Sequence, residues 1–196
     1  MKIKRFISSR LESNGYVIYR DRGGPCYVID PGYRHKDFLG FAEKNELHIK
    51  GILLTHHHYD HTGAVKNISR ETGCPVYIHK DDLDMYGEEA EPIEDGHVFH
   101  LDGEKIVTIH TPGHTKGGVC FFSEKSRAVF TGDTVFNVDL GRTDLEDGDP
   151  KEMKMTIKNI VDKWSNDIEI YPGHGDPCSM KYVRDVNTEF KEALKD

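Results

Sequence analysis

Apolar residues fall along this chain in short blocks separated by polar turns, and only a few stretches keep a helical period. Tyr16-Val-Ile-Tyr19 and Cys26-Tyr-Val-Ile29 have the length and the β-branched, aromatic make-up of strands. Asp21-Arg-Gly-Gly24 between them is turn-forming, so the pair predicts a hairpin. A helix-like stretch follows around Asp37 to Leu47. Gly51 to Thr55 reads as a short buried strand. Ala64 to Thr72 reads as a helix stopped by Gly73, because glycine accepts the left-handed backbone that ends helices. Val76 to His79, Lys105 to His110, Ala128 to Thr131 and Ile168 to Tyr171 are further β-like runs. Between the last two, Met153, Ile157, Ile160, Val161 and Trp164 share one face of a helix that Asp149 can cap and Pro150 can open. Met180, Val183, Val186, Phe190 and Leu194 predict a terminal helix. Strands precede and alternate with helices, which places the chain in the mixed α/β or α+β class.

With 196 residues and no repeat, low-complexity tract or proline- or glycine-rich linker, the chain is expected to form one domain over residues 1–196. No apolar run approaches the roughly 20 residues that span a bilayer. The start, Met1 to Arg10, has lysines but no apolar segment behind them, so no secretory signal is expected. The formal net charge of −8 is wrong for a general phosphate-backbone binder, and neither nucleic acid nor membrane is expected as a partner. Cys26, Cys74, Cys120 and Cys178 form no C-x-x-C pair. This argues against a thiolate zinc site and a disulfide framework, and for reduced thiols in a cytoplasmic protein. The acidic stretch from Glu88 to Asp95 reads as a solvated loop.

Histidine changes the picture. There are 12, and four of them fall within Thr55-His-His-His-Tyr-Asp-His61. Imidazole and carboxylate are ligands for zinc, iron and manganese. The cluster follows the apolar run Gly51 to Leu54, where a buried strand would emerge. His56 and His58, two apart in an extended segment, point the same way and can share an ion. Asp60 and His61 can face a second. A lone histidine cluster is as well explained by a polar loop. However, three other β-like runs also end at small turn residues beside His or Asp: Thr111-Pro-Gly-His114, Gly132-Asp-Thr134 and Pro172-Gly-His-Gly175. Four such strand ends are hard to explain as solvated surface.

The H-x-H-x-D-H core, followed in order by His114, Asp133 and His174, resembles the signature of the metallo-β-lactamase superfamily, from about Asn14 onward. The resemblance implies a four-layer αβ/βα sandwich with its site at one edge of two sheets. It implies two divalent metal ions, zinc with iron or manganese as alternatives. His56, His58 and His114 would bind one, Asp60, His61 and His174 the other, and Asp133 would bridge them. His57 is not a ligand position and is expected to face solvent or to support a ligand. Thr55, Thr115 and Thr134 are candidates to orient ligands. Within the superfamily, Thr111-Pro-Gly-His-Thr-Lys-Gly-Gly118, Gly132-Asp-Thr-Val-Phe136, Gly141-Arg-Thr-Asp-Leu145 and Tyr171-Pro-Gly-His-Gly175 are similar to the short, single-domain members of the glyoxalase II group.

That likeness implies hydrolysis of a small-molecule thioester or ester by metal-activated water, with Asp60 or Asp133 assisting proton transfer. Lys116 and Arg142 are the candidate substrate contacts. Arg142 stands where those enzymes carry a basic residue toward glutathione, but their aromatic residue two positions on is Asp144 here. A structural ion pair with Asp144 or Asp147 is as good a reading of Arg142 as a substrate contact. Tyr33, Tyr86 and Tyr182 are candidates to line a pocket. The alternatives are an iron-dependent oxygenase similar to the persulfide dioxygenases, with His56, His114 and Asp133 on one iron, and a lactonase or other ester hydrolase.

Overall fold

The structure, a computed structural model, describes residues 1–8 and 11–195. Among these residues the chain forms two six-stranded sheets and seven α-helices. The first sheet holds, in spatial order, β1 (Lys2–Ile7), β2 (Asn14–Tyr19), β3 (Pro25–Ile29), β4 (His48–Leu53), β5 (Val76–His79) and β6 (Glu91–Ile93). It is antiparallel from β1 to β3 and parallel from β3 to β6. The second holds β7 (Val98–Leu101), β8 (Glu104–His110), β9 (Val119–Ser123), β10 (Ala128–Gly132), β11 (Glu169–Pro172) and β12 (Cys178–Ser179), also side by side in chain order. Its pairs are antiparallel except β10 with β11. The helices are α1 (His35–Lys44), α2 (Tyr59–Thr62), α3 (Val65–Thr72), α4 (Leu83–Tyr86), α5 (Pro150–Asn159), α6 (Met180–Val186) and α7 (Thr188–Ala193).

The layering follows from the two-residue period of strands that are buried on both faces. Tyr16, Ile18, Tyr27, Ile29 and Leu53 of the first sheet meet Ile106, Val119, Phe121 and Phe130 of the second in a central core. The alternate residues Val17, Cys26, Val28 and Ile52 pack outward with Phe38 and Ala42 of α1 and Val65 and Ile68 of α3. On the far side Cys120, Val129 and Ile170 pack with Met153 and Ile157 of α5, Val183 of α6 and Phe190 of α7. Three cores between four layers make the αβ/βα sandwich expected for the fold class. Each fully buried Phe or Ile in these cores contributes roughly 1.5–3 kcal/mol.

Most predicted elements appear with small shifts. The hairpin is β2–β3, with Tyr16 opposite Ile29. Asp149 caps α5 by accepting from the backbone N–H groups of Lys151 and Glu152, and Pro150 opens it. Gly73 ends α3 at φ 70°. Four readings need correction. The helix through Trp164 stops at Asn159 and continues as a 3₁₀ turn, Val161–Lys163. The terminal helix is two, because the Asn187 side chain accepts from the Phe190 N–H and starts α7. Val186, assigned to its buried face, is 38% exposed. The stretch from Glu88 to Asp95 contains β6, an edge strand, where Pro92 is tolerated because one side needs no ladder bond. All four cysteines are free. Among the described residues no helix is long and apolar enough to cross a membrane.

Candidate metal centre

The four strand ends singled out in the sequence lie together. Beyond β4, the chain bends at Thr55 and passes through His58, whose backbone is extended, into the short helix α2, which carries Asp60 and His61. The loop between β8 and β9 carries His114. Asp133 follows β10, and His174 follows β11. Backbone bonds across the sheets hold these ends in place: Val119 N–H donates to Thr55 O at 2.9 Å, and Asn14 N–H to Gly173 O at 2.6 Å. Asn14 Nδ2 and Tyr16 Oη also donate to Pro172 O, at 2.9 and 2.6 Å. Gly173 is needed for close approach, since a Cβ there would lie 2.1 Å from Asp133 Oδ1.

Two groups of donor atoms result. Ring nitrogens of His56, His58 and His114 lie within 4.8 Å of one another, and so do donor atoms of Asp60, His61 and His174. Asp133 stands by both: Oδ2 is 3.4 Å from His114 Nε2 and 3.5 Å from His174 Nε2, and Oδ1 is 3.3 Å from His61 Nε2.

Outer hydrogen bonds fix where the imidazole protons sit. Thr55 Oγ1 donates to Asp30 Oδ2 at 2.6 Å, so it can only accept from His56 Nδ1, 2.9 Å away. That leaves a lone pair on His56 Nε2. Asp30 Oδ2 also lies 3.3 Å from His61 Nδ1, within ion-pair distance but without hydrogen-bond geometry, so its charge favours a proton on that outward nitrogen. The carbonyl of Arg142 accepts from His114 Nδ1 at 2.7 Å, leaving a lone pair on Nε2, which faces His58 Nδ1 at 2.9 Å. Such outer partners are what set the tautomer of metal-binding histidines. His56 Nε2 and Asp133 Oδ1 are buried without a hydrogen-bond partner. Buried bare acceptors cost about 1–3 kcal/mol each, and a cation is the partner that satisfies inward lone pairs and carboxylates together. The donor sets therefore fit divalent metal ions.

Electrostatics divides the site. Burial, then the neighbouring imidazoles, holds His56 well below the usual histidine range and pushes His58 down to about 4. Burial opposes charge on His61 and His174 too, but there the carboxylates outweigh it. Asp133, Asp30 and Asp60 hold His61 well above its ordinary value, and Asp60 and Asp133 raise His174. Burial would raise Asp60, but hydrogen bonds with His174 and His61 outweigh it and keep the carboxyl ionised.

The other candidates are placed as follows. His57 does not face solvent: its side chain is 8% exposed, and Nδ1 lies 3.0 Å from Asp82 Oδ2. Thr115 donates to the same carboxylate, whereas Thr134 joins Thr111 in a buried hydroxyl pair at 3.1 Å. Arg142 is exposed and paired in bidentate fashion with Asp144, Nε–Oδ1 2.7 Å and Nη2–Oδ2 2.8 Å. The Lys116 side chain is exposed. Tyr33 packs edge-on against Tyr59, between His58 and Asp60, and so reaches the rim of the site. Tyr86 instead packs against the outer core of the first sheet, and Tyr182 is 45% exposed on α6. Sequence reading missed Asp30 and Asp82. Asp30 at least carried a signal, an aspartate at the mouth of a strand before Pro31-Gly32.

This fold and donor arrangement agree with comparison to known proteins. The family model of the metallo-β-lactamase superfamily, whose members are metal-dependent hydrolases, matches residues 9–174, and the chain belongs to that superfamily. It is 33% identical to a hydroxyacylglutathione hydrolase of Pelagibacter ubique over 83% of this chain and 66% of that one. Among solved structures, it is similar to the BLEG-1 B3 metallo-β-lactamase, with a TM-score of 0.89 and 26% identity over 95% of this chain and 98% of that one. It is also similar to TTHA1623 in a di-iron-bound form, with a TM-score of 0.83 and 29% identity over 94% and 98%.

Proposed function

We propose that the protein is a dinuclear metallohydrolase that cleaves a small thioester of the hydroxyacyl-thiol type. In this reading His56, His58 and His114 hold one cation, Asp60, His61 and His174 the other, and Asp133 reaches both. Zinc is the expected metal, and the same donors accommodate iron or manganese. One observation carries the reading: inward lone pairs and carboxylates converge from four strand ends, with the imidazole protons of His56 and His114 turned outward by Thr55 and the Arg142 carbonyl and the charge of Asp30 beside the outer nitrogen of His61. The likeness to a hydroxyacylglutathione hydrolase supports the choice of thioester.

Cations bound there supply an acidified water and a Lewis acid for a carbonyl oxygen. The chain's own residues do the rest. Asp30 and the Arg142 carbonyl keep three rings in orientation. Asp60 Oδ2, 3.2 Å from His174 Nε2, and Asp133 Oδ1 are the atoms that can hold a proton in transit. Tyr59 and Tyr33 offer an apolar rim. Arg142 gives its charge to Asp144, so Lys116 is the cation left for a substrate carboxylate.

The test is metals per chain by mass spectrometry, with S-D-lactoylglutathione hydrolysis measured with and without chelator on the same preparation. Two metals and chelator-sensitive cleavage are expected. One iron, oxygen uptake with a persulfide and no thioester cleavage would replace this reading with an oxygenase on His56, His114 and Asp133. Two metals without thioesterase activity would move the substrate to lactones and other esters.

A further inference from the structure

Asp82 has no part in the chemistry described so far, yet it is fully buried beside it. It closes a 3₁₀ turn, Lys80–Asp82, after β5. A buried carboxylate costs several kcal/mol unless its oxygens are satisfied. Here four donors satisfy them, and all four come from two loops. Oδ2 accepts from His57 N–H at 3.1 Å, faces His57 Nδ1 at 3.0 Å and accepts from Thr115 Oγ1 at 2.9 Å. Oδ1 accepts from Gly117 N–H at 2.5 Å. His57 lies between His56 and His58; Thr115 and Gly117 flank and follow His114. Gly117 permits the approach, since a Cβ there would lie 2.6 Å from Asp82 Oδ1. No hydrogen bond from Asp82 reaches the segments of Asp60, His61 or His174 among the described residues.

We infer that Asp82 is a positioning residue that fixes the distance between the His56–His58 segment and the His114 loop. It thereby sets the metal affinity of that triad and leaves the Asp60–His61–His174 triad alone. His57 is the handle by which the carboxylate holds its strand end. The inference rests on the two-triad reading above.

The test titrates zinc into metal-free wild type, Asp82→Asn and Thr115→Val, and counts metals retained against a weak chelator. Asp82→Asn puts an N–H₂ donor or a lost acceptor against His57 or Gly117; Thr115→Val removes one donor and is the milder change. Partners of this outer kind are worth about 10–100-fold in metal affinity. One equivalent is expected to weaken by about that factor in Asp82→Asn and by less in Thr115→Val, with the other unchanged. Placed on His174→Ala, Asp82→Asn is expected to weaken the remaining metal; placed on His58→Ala, it is expected not to. Equal weakening of both equivalents, or a lower Tm of the metal-free protein with unchanged affinities, would make Asp82 a plain core clamp. If Asp82→Asn does not fold, Thr115→Val decides by the same criteria. Fewer than two metals on wild type would overturn the two-triad reading, and this inference with it.

Discussion

The two triads are built from the same residue type and held in opposite states. His56, His58 and His114 meet as imidazoles with Asp133 reaching only the edge of the group, 3.4 Å from His114 Nε2, and burial keeps protons off His56 and His58. His61 and His174 meet around Asp60, with Asp133 alongside, and the carboxylates keep protons on them before any cation is bound. Burial pushes every one of these imidazoles toward the neutral form, and a proton is kept only where several carboxylates stand close enough to outweigh it. The site thus combines a neutral pocket with an anionic one.

The largest expected effect comes from removing the residue that joins them. Asp133→Ala should weaken both metals and lower kcat/KM by at least about a thousandfold, about 4 kcal/mol of transition-state stabilisation. Loss of a single metal with less than a tenfold drop would show that Asp133 serves one triad. The pH dependence should separate the triads next. Protonated imidazole cannot ligate, so affinity falls as pH drops through a raised histidine pKa. The cation on Asp60, His61 and His174 should weaken as pH falls through the raised pKa values of His61 and His174, by up to about tenfold per pH unit for each proton displaced. The cation on the first triad should be lost at lower pH than the other, because burial and neighbouring imidazoles hold His56 and His58 below the usual histidine range. Metal counts after dialysis at stepped pH would read this, and simultaneous loss would break the contrast.

The smallest effect should touch neither triad. Asp144→Asn releases the Arg142 guanidinium, and since the pair is exposed the gain should be modest. The expected result is a rise of about two- to fivefold in kcat/KM for S-D-lactoylglutathione, with metal content unchanged. A matching rise for an uncharged thioester would mean that Arg142 is not what the substitution freed.

Much of this was legible in the chain. The four strand ends, the hairpin, the α5 cap and the stop at Gly73 are local, and local rules read them. A period of two with apolar residues on both faces already demands covered sheets, so two packed sheets follow from the strands of the central core. The short strands β1 and β7 were missed because β1 has no fully buried residue and β7 is only four residues long, with just Phe99 and Leu101 buried. The break at Asn187 was missed because a side-chain cap is worth little until Phe136 and Asp139 offer their carbonyls to its amide.

The sequence by itself determined which donors exist and in what order: five histidines and two aspartates beside turns that glycine keeps tight. It also determined the layered class, because burial patterns follow the backbone period. Tertiary structure alone decided the rest. Asp30 holds Thr55 against His56 and stands beside His61, and Asp82 grips two loops through His57, Thr115 and Gly117. These outcomes depend on which groups face each other across 3 Å after folding. Proton position and charge are set by those distances, and residues 25 to 35 apart in the chain acquire them only when the sheets pack.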